Sequence, residues 1–254
     1  MEKIAVIPSR YASKRLEAKA LAMIGDKSLI QRVYEAVKST ELFDKILVAT
    51  DHPIIFDEVI RFGGNVMMTS EDHQCGTDRI AEVCKHIDCD IVVNVQGDEP
   101  FICKEPLEGL LHAFTDESVK VASLMCPMNK PEDIENPNKV KVIVNKFSDA
   151  IYFSRSTIPY QRNIIDGFRY FKHIGVYAFK KEALLEYVAS PHTLYEQTES
   201  LEQLRFIHNA IPIRMVETDY EGIGIDTLDD LEKARKFAKD SDANLCPSYQ
   251  EDSI

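Results

Sequence analysis

The sequence predicts an α/β fold: a mostly parallel central sheet with helices on both faces, joined to a smaller part with a mixed sheet. Three short β-branched runs, at residues 4–7, 46–49 and 91–95, are nearly continuous in apolar character, as strands buried on both faces should be. Helical patterns fall between them, and strand–helix–strand alternation implies parallel strands with right-handed crossovers. After about residue 119 the strand-like runs come close together, the mark of a mixed, partly antiparallel region.

The helix at 29–39 sets Leu29, Val33, Ala36 and Val37 on one side. The helix at 53–62 begins with Pro53, which suits a first turn. The one at 77–87 turns Ile80, Ala81, Val83 and Cys84 to one face. Strands follow at 119–124, 140–144, 150–153 and 175–179, then a helical stretch at 199–209 and a strand at 211–216. Thr227, followed by Asp229, Asp230 and Glu232, marks a last helix start with acids in its first turn. A single α/β domain is expected over residues 1–238, with its smaller part at about 119–198, and a polar, aperiodic tail at 239–254.

Composition narrows the function. Of 254 residues, 44% are hydrophobic and 28% charged, which excludes collagen-like, low-complexity and wholly disordered chains. Thirty basic residues against 42 acidic ones give a formal charge of 30 − 42 = −12, opposite in sign to a duplex-binding surface, so no nucleic-acid partner is expected. Positive charge is instead local: Lys3, Arg10, Lys14, Arg15 and Lys19 crowd the start of the chain. The six cysteines form no C-x-x-C pair, which argues for reduced thiols rather than a zinc ribbon or redox dithiol. No apolar run approaches the ~20 residues of a bilayer span, and no charged-then-apolar leader opens the sequence, so no membrane insertion and a cytoplasmic location are expected.

Ligands of parallel α/β sheets sit beyond the carboxyl ends of strands. Three segments there carry chemistry. Residues 8–19 place four cations within ten residues after the first strand; Arg offers a planar fork to phosphate and Lys a compact charge. This is neither a P-loop nor a dinucleotide fingerprint, since both glycine patterns are absent. Residues 94–100 end a buried strand in Asn94, Gln96, Gly97, Asp98 and Glu99, and Asp98 is a hard oxygen ligand suited to Mg²⁺. Residues 222–227 put two glycines before Asp226, which reads alone as a helix cap and, paired with Asp98, as the second carboxylate of a metal site. Two carboxylates a few ångströms apart repel by roughly 4 kcal/mol at an effective dielectric of 20, a cost that a divalent cation removes.

Taken in order, these segments resemble one family. The residues are 9–16 with Lys19, Thr50-Asp51, 73–79, 94–100, 152–159, 173–177, 201–205 and 224–227, and the family is the 3-deoxy-manno-octulosonate (Kdo) cytidylyltransferases. The resemblance implies a fold like the nucleotide-diphospho-sugar transferases, with a smaller dimerising part, and hence a homodimer. It implies transfer of CMP from CTP to Kdo, releasing pyrophosphate and forming CMP-Kdo for lipopolysaccharide assembly. It assigns Arg10, Ser13, Arg15 and Lys19 to the nucleotide-binding loop, and Asp98 and Asp226 to Mg²⁺, with Lys19 and the two aspartates as the catalytic set. Arg79, Gln96, Arg155, His173, Tyr177, Glu202 and Gln203 fall around cytidine or the sugar acid. By its place before a strand, His173 alone would read as a core histidine, and the other six histidines carry no claim. Where the family has Leu-Pro-Gly-Lys-Pro-Leu, this chain has Leu16-Glu17-Ala18-Lys19-Ala20-Leu21, so the loop loses its rigid prolines and Ala18 disfavours a positive φ. Rival readings are a sugar-1-phosphate nucleotidylyltransferase, a cytidylyltransferase for another ulosonic acid such as a sialic acid or 8-amino-Kdo, and a non-catalytic nucleotide-sensing module.

Overall fold

The computed structural model describes residues 1–12, 16–73, 75–222 and 224–240. Ser13 and Arg15, expected in the nucleotide loop, and residues 241–254 lie outside the described residues. The chain forms two compact units. One comprises residues 1–108 and the chain from Gly222 onward; the other comprises residues 109–221.

The first unit opens with β1 (Lys3–Ser9), the hairpin strands β2 (Met23–Ile24) and β3 (Lys27–Ser28), and α1 (Leu29–Ser39). It continues through β4 (Lys45–Thr50), α2 (Pro53–Arg61), β5 (Val66–Met68), α3 (Gly76–His86), β6 (Ile91–Asn94) and α4 (Lys104–Ala113), the last crossing into the second unit. Strands β6, β1, β4 and β5 lie side by side, all parallel, with Ile4 opposite both Lys45 and Val92. Residues 4–7 of β1 are fully buried, because helices α1 and α3 pack on this sheet and leave no face for water. Local chemistry sets the helix starts. Ser28 accepts the N–H of Gln31 to cap α1, and Pro53 stands in the first turn of α2 behind a His52 cap.

The second unit holds β7 (Val121–Met128), α5 (Pro131–Glu135), β8 (Lys141–Val144), β9 (Ala150–Ser154) and β10 (Tyr170–Lys180). It then runs through α6 (Lys181–Ala189), α7 (Leu194–Glu199), α8 (Leu204–His208) and β11 (Ile213–Glu217). β11 is parallel to β7, whereas β7–β10, β10–β8 and β8–β9 are antiparallel, which is the mixed sheet expected. β10 begins five residues before the expected strand, and a register shift between Ile174 and Tyr177 accommodates Gly175. The expected helix at 199–209 is the shorter α8, because Ser200 takes a left-handed conformation, φ 52°, that ends α7 at Glu199.

The chain returns to the first unit with α9 (Leu228–Asp240), so the expected tail at 239 begins inside a helix. One expectation about the cysteines is corrected. Cys75, Cys84, Cys89 and Cys126 are free thiols, but Cys103 is disulfide-bonded.

Candidate functional site

In the first unit, the loops that leave β1, β4 and β6 all emerge at the carboxyl ends of parallel strands, where backbone N–H groups and side chains turn to one place. The loops leaving β1 and β6 approach very closely. A Cβ on Gly97 would lie 2.7 Å from the Pro8 carbonyl oxygen, so only glycine lets the Gln96–Asp98 turn sit against the exit of β1. A cavity of about 430 Å³ opens there, and Arg10, Lys19, Arg79, Gln96, Asp98, Asp226, His73 and Cys75 are among the residues that line it.

Lys19 is the hub. Its Nζ donates to Asp98 Oδ2 at 2.7 Å and to Asp226 Oδ1 at 3.2 Å. Two carboxylates from widely separated stretches of chain therefore meet on one ammonium, which offsets their mutual repulsion. The Lys19 side chain is 17% exposed, Asp98 26% and Asp226 45%, so the carboxylate pair opens to solvent on the Asp226 side. Lys19 itself starts a 3-10 turn whose preceding residue, Ala18, has φ 51° and ψ 31°. The left-handed conformation that Ala18 disfavours is thus adopted, at a steric cost of about 1–2 kcal/mol.

Asp226 is held from both sides. The Ile225 N–H donates to the Asp98 carbonyl at 3.0 Å, stitching the two aspartate loops together through backbone. Behind it, Asp230 Oδ2 accepts the N–H groups of Asp226 and Thr227, while the Thr227 hydroxyl accepts the N–H of Asp230. Burial alone would raise the Asp230 carboxyl; the Thr227 hydroxyl and these N–H donors outweigh it and hold the group below its ordinary value. Gly222, with φ +70°, has Glu99 carboxylate oxygens 3.1 and 3.2 Å from where a Cβ would lie, so the start of this loop needs glycine.

The floor of the cleft is Arg79, on α3. It is buried and donates to Asp51 Oδ2 at 2.8 Å, to the Thr69 hydroxyl and to the Ser70 carbonyl at 3.2 Å. His73 Nε2 pairs with Glu82.

The remaining candidate residues belong to the second unit. His173, Tyr177 and Gln203 form one cluster there. His173 Nε2 lies 3.0 Å from Ser123 Oγ, and its Nδ1 lies 3.4 Å from the Gln203 amide nitrogen. The ring packs edge-on against Phe153 at 4.9 Å and tilted against Tyr177 at 5.4 Å. Burial, reinforced by the Lys172 charge, pushes His173 down from 6.5 to about 3; burial pushes the Tyr177 phenol well up. Arg155 donates from Nε to the Glu199 carbonyl at 2.7 Å and from Nη1 to the Pro137 carbonyl at 3.0 Å. Glu202 is half-buried, and its carbonyl accepts the Tyr187 hydroxyl at 3.2 Å.

Six of the candidates, Arg10, Lys19, Arg79, Gln96, Asp98 and Asp226, therefore share one cleft. His73, Cys75 and Asp51 were given no role by sequence reasoning. The signal for Asp51 was its place directly after a buried strand.

Comparison with known proteins follows the same outline. A family model described as "Cytidylyltransferase" matches residues 4–215. A 3-deoxy-manno-octulosonate cytidylyltransferase of Flavobacterium johnsoniae is 50% identical over 243 residues, covering 94% of this chain and 100% of the relative. The enzyme of the same name from Bacteroides thetaiotaomicron is 47% identical over 94% of this chain and 99% of the relative. A solved CMP:2-keto-3-deoxy-manno-octonic acid synthetase, complexed with CTP, superposes with a TM-score of 0.90 at 41% identity over 94% of this chain and 99% of that one. A 4-diphosphocytidyl-2C-methyl-D-erythritol synthase from Anaerococcus prevotii shares the fold, at a TM-score of 0.63 and 17% identity over 94% of this chain and 99% of that one.

Proposed function

The chain belongs to the cytidylyltransferase family, among the 3-deoxy-manno-octulosonate cytidylyltransferases, and from that premise we propose how its residues perform the family's reaction. The protein transfers CMP from CTP to Kdo, forming CMP-Kdo and releasing pyrophosphate. The observation that carries the assignment of roles is the convergence of Asp98 and Asp226 on Lys19, beside the basic turn after β1.

The anomeric 2-hydroxyl of Kdo attacks the α-phosphorus of CTP in line, the bond to the β-phosphate oxygen breaks, and pyrophosphate leaves. Such a transfer needs little covalent help, so positioning and charge neutralisation dominate. Arg10 and Lys19, joined by Ser13 and Arg15, hold the triphosphate, and their charges offset the negative charge that grows on the leaving pyrophosphate. Asp98 and Asp226 supply hard oxygens from two loops, a donor set that fits Mg²⁺ completed by phosphate oxygens and water. That ion would neutralise phosphate charge and polarise the phosphorus. In the first unit, Arg79 and Gln96 serve the cytidine; in the second, Arg155 is the cation for the sugar carboxylate and Glu202 reads hydroxyls, with His173, Tyr177 and Gln203 packed as supporting side chains. A group that bonds a hydroxyl also rejects sugars lacking it, since it would be left buried and unpaired.

The active form is a homodimer that works in the cytoplasm. No helix among the described residues is long and apolar enough to cross a membrane. The test is pyrophosphate release with CTP and Mg²⁺ against Kdo, 8-amino-Kdo and a sialic acid, repeated with UTP and ATP. Release confined to CTP with Kdo is the expected result. Faster release with another ulosonic acid would reassign the sugar, and CTP binding with no release would leave a nucleotide-sensing module.

A further inference from the structure

We propose that Asp51 is a positioning residue for the nucleotide, locking the basic turn after β1 and the guanidinium of Arg79 to the end of β4. The inference rests on the reading that this cleft takes CTP. Asp51 Oδ1 accepts the backbone N–H of Tyr11 at 3.2 Å, and Oδ2 accepts Arg79 Nη2 at 2.8 Å. One carboxylate thus joins the turn that leaves β1 to helix α3.

The pair is shielded: the Asp51 side chain is 15% exposed and Arg79 4%, so the charge-assisted hydrogen bond is little weakened by water. With the Thr69 hydroxyl and the Ser70 carbonyl taking Nη1, Arg79 has its plane fixed by three acceptors before any ligand enters.

The next residue completes the lock. The Tyr11 ring stacks on the His52 ring at 3.9 Å and 17°. His52 is itself held in place, because its Nδ1 accepts the Ile54 N–H at 3.3 Å in the first turn of α2. Two consecutive residues after β4 therefore grip Tyr11, one by its backbone and one by its ring. Tyr11 adjoins Arg10, which lines the cleft. Later in the chain, Lys19 meets Asp98 and Asp226. Asp51 acts on the cleft through Tyr11, which adjoins Arg10, and through Arg79, whereas the reacting atoms are assigned to the Asp98 end. Loosening Asp51 then weakens CTP binding and leaves the turnover step largely intact.

The experiment is calorimetric titration of the full chain with CTP and Mg²⁺, sugar acid omitted, alongside steady-state kinetics with Kdo and thermal melting. Three variants are compared with wild type. Asp51→Asn keeps an oxygen for the Tyr11 N–H and removes the charge opposite Arg79; Asp51→Ala removes both contacts. His52→Asn keeps a good cap for α2 and removes the ring under Tyr11. The Kd and KM for CTP should rise roughly tenfold in Asp51→Asn and further in Asp51→Ala, with kcat and the KM for Kdo within about threefold of wild type. In His52→Asn the Kd for CTP should rise roughly threefold. Wild-type CTP affinity in the folded Asp51 variants overturns the proposal, as does a fall in kcat at unchanged CTP affinity. Should neither Asp51 variant fold, unchanged CTP binding in His52→Asn overturns it. A wild type that binds CTP and makes no CMP-Kdo refutes the activity instead, and leaves the binding comparison standing.

Discussion

His173 makes the folded chain less stable as the medium is acidified, by an amount its surroundings set. The ring is enclosed by Phe153, Tyr177, Ser123 and Gln203, and burial holds its imidazole down at about 3, against an ordinary 6.5. The Gln203 amide nitrogen faces Nδ1, so Nδ1 accepts and Nε2 carries the proton toward Ser123. Adding a second proton would turn two donors against each other. In the unfolded chain the same imidazole takes a proton below 6.5. The contribution of His173 is therefore complete above 6.5 and is lost as the pH falls toward about 3. Each pH unit inside that window costs about 1.4 kcal/mol, so acidifying from pH 7 to pH 5 removes about 2 kcal/mol. Burial would raise the carboxyls of Glu196 and Asp230, but hydrogen bonds from Arg205 and Thr227 hold them low. Their ordinary values are 4.5 and 3.8, so their contributions are lost below this range and leave it to histidine. Urea unfolding of wild type and His173→Gln at pH 7, 6 and 5 reads the effect. The variant starts less stable and loses about 2 kcal/mol less over the interval. Equal losses in the two proteins would refute the burial argument.

Other substitutions test the cleft. Asp98→Asn should abolish pyrophosphate release and leave the thermal melt unchanged; near-wild-type release would remove Asp98 from the site. Lys19→Ala should lower kcat/KM for CTP by on the order of 100-fold, read in the same assay, and an unchanged value would strip it of phosphate contact. Gly222→Ala adds a Cβ 3.1 Å from Glu99 at φ +70°, which displaces the start of the Asp226 loop. It should cut kcat by more than about tenfold with the melting temperature lowered by only a few degrees. Ala18→Gly relieves the left-handed strain before Lys19 and should raise the melting temperature by about 1–3 °C. A lower melting temperature would show that Ala18 is not strained there.

Much of this molecule was legible in advance because its strongest signals are local. Residues 4–7 and 91–94 are fully buried on both faces, so their composition alone marks them as strands, and α1 begins and ends where its apolar spacing does. β5 was not foreseen, since Val66–Met68 is three residues long and half-exposed, with no alternation to detect. The break at Ser200 was missed because a left-handed serine leaves no mark on hydropathy. In the cleft, Lys19 stood in a cation-rich stretch after a strand, and Asp98 and Asp226 stood after glycines, where chemistry is expected. Asp51, quoted only as part of the family pattern, was given no role, and His52 was passed over, because their work is done on a backbone N–H and on another ring, contacts that only a folded chain brings together.

The bond from Ile225 to Asp98 ties together stretches of chain made far apart in time. Asp226 lies 226 − 98 = 128 positions after Asp98, with the whole second unit translated between them. At about 5–20 residues per second, a ribosome adds Asp226 roughly 6–26 seconds after Asp98. Until then the nascent polypeptide carries half of its acidic pair, so, on the roles proposed above, neither a stalled translation product nor a fragment truncated before Gly222 should split CTP.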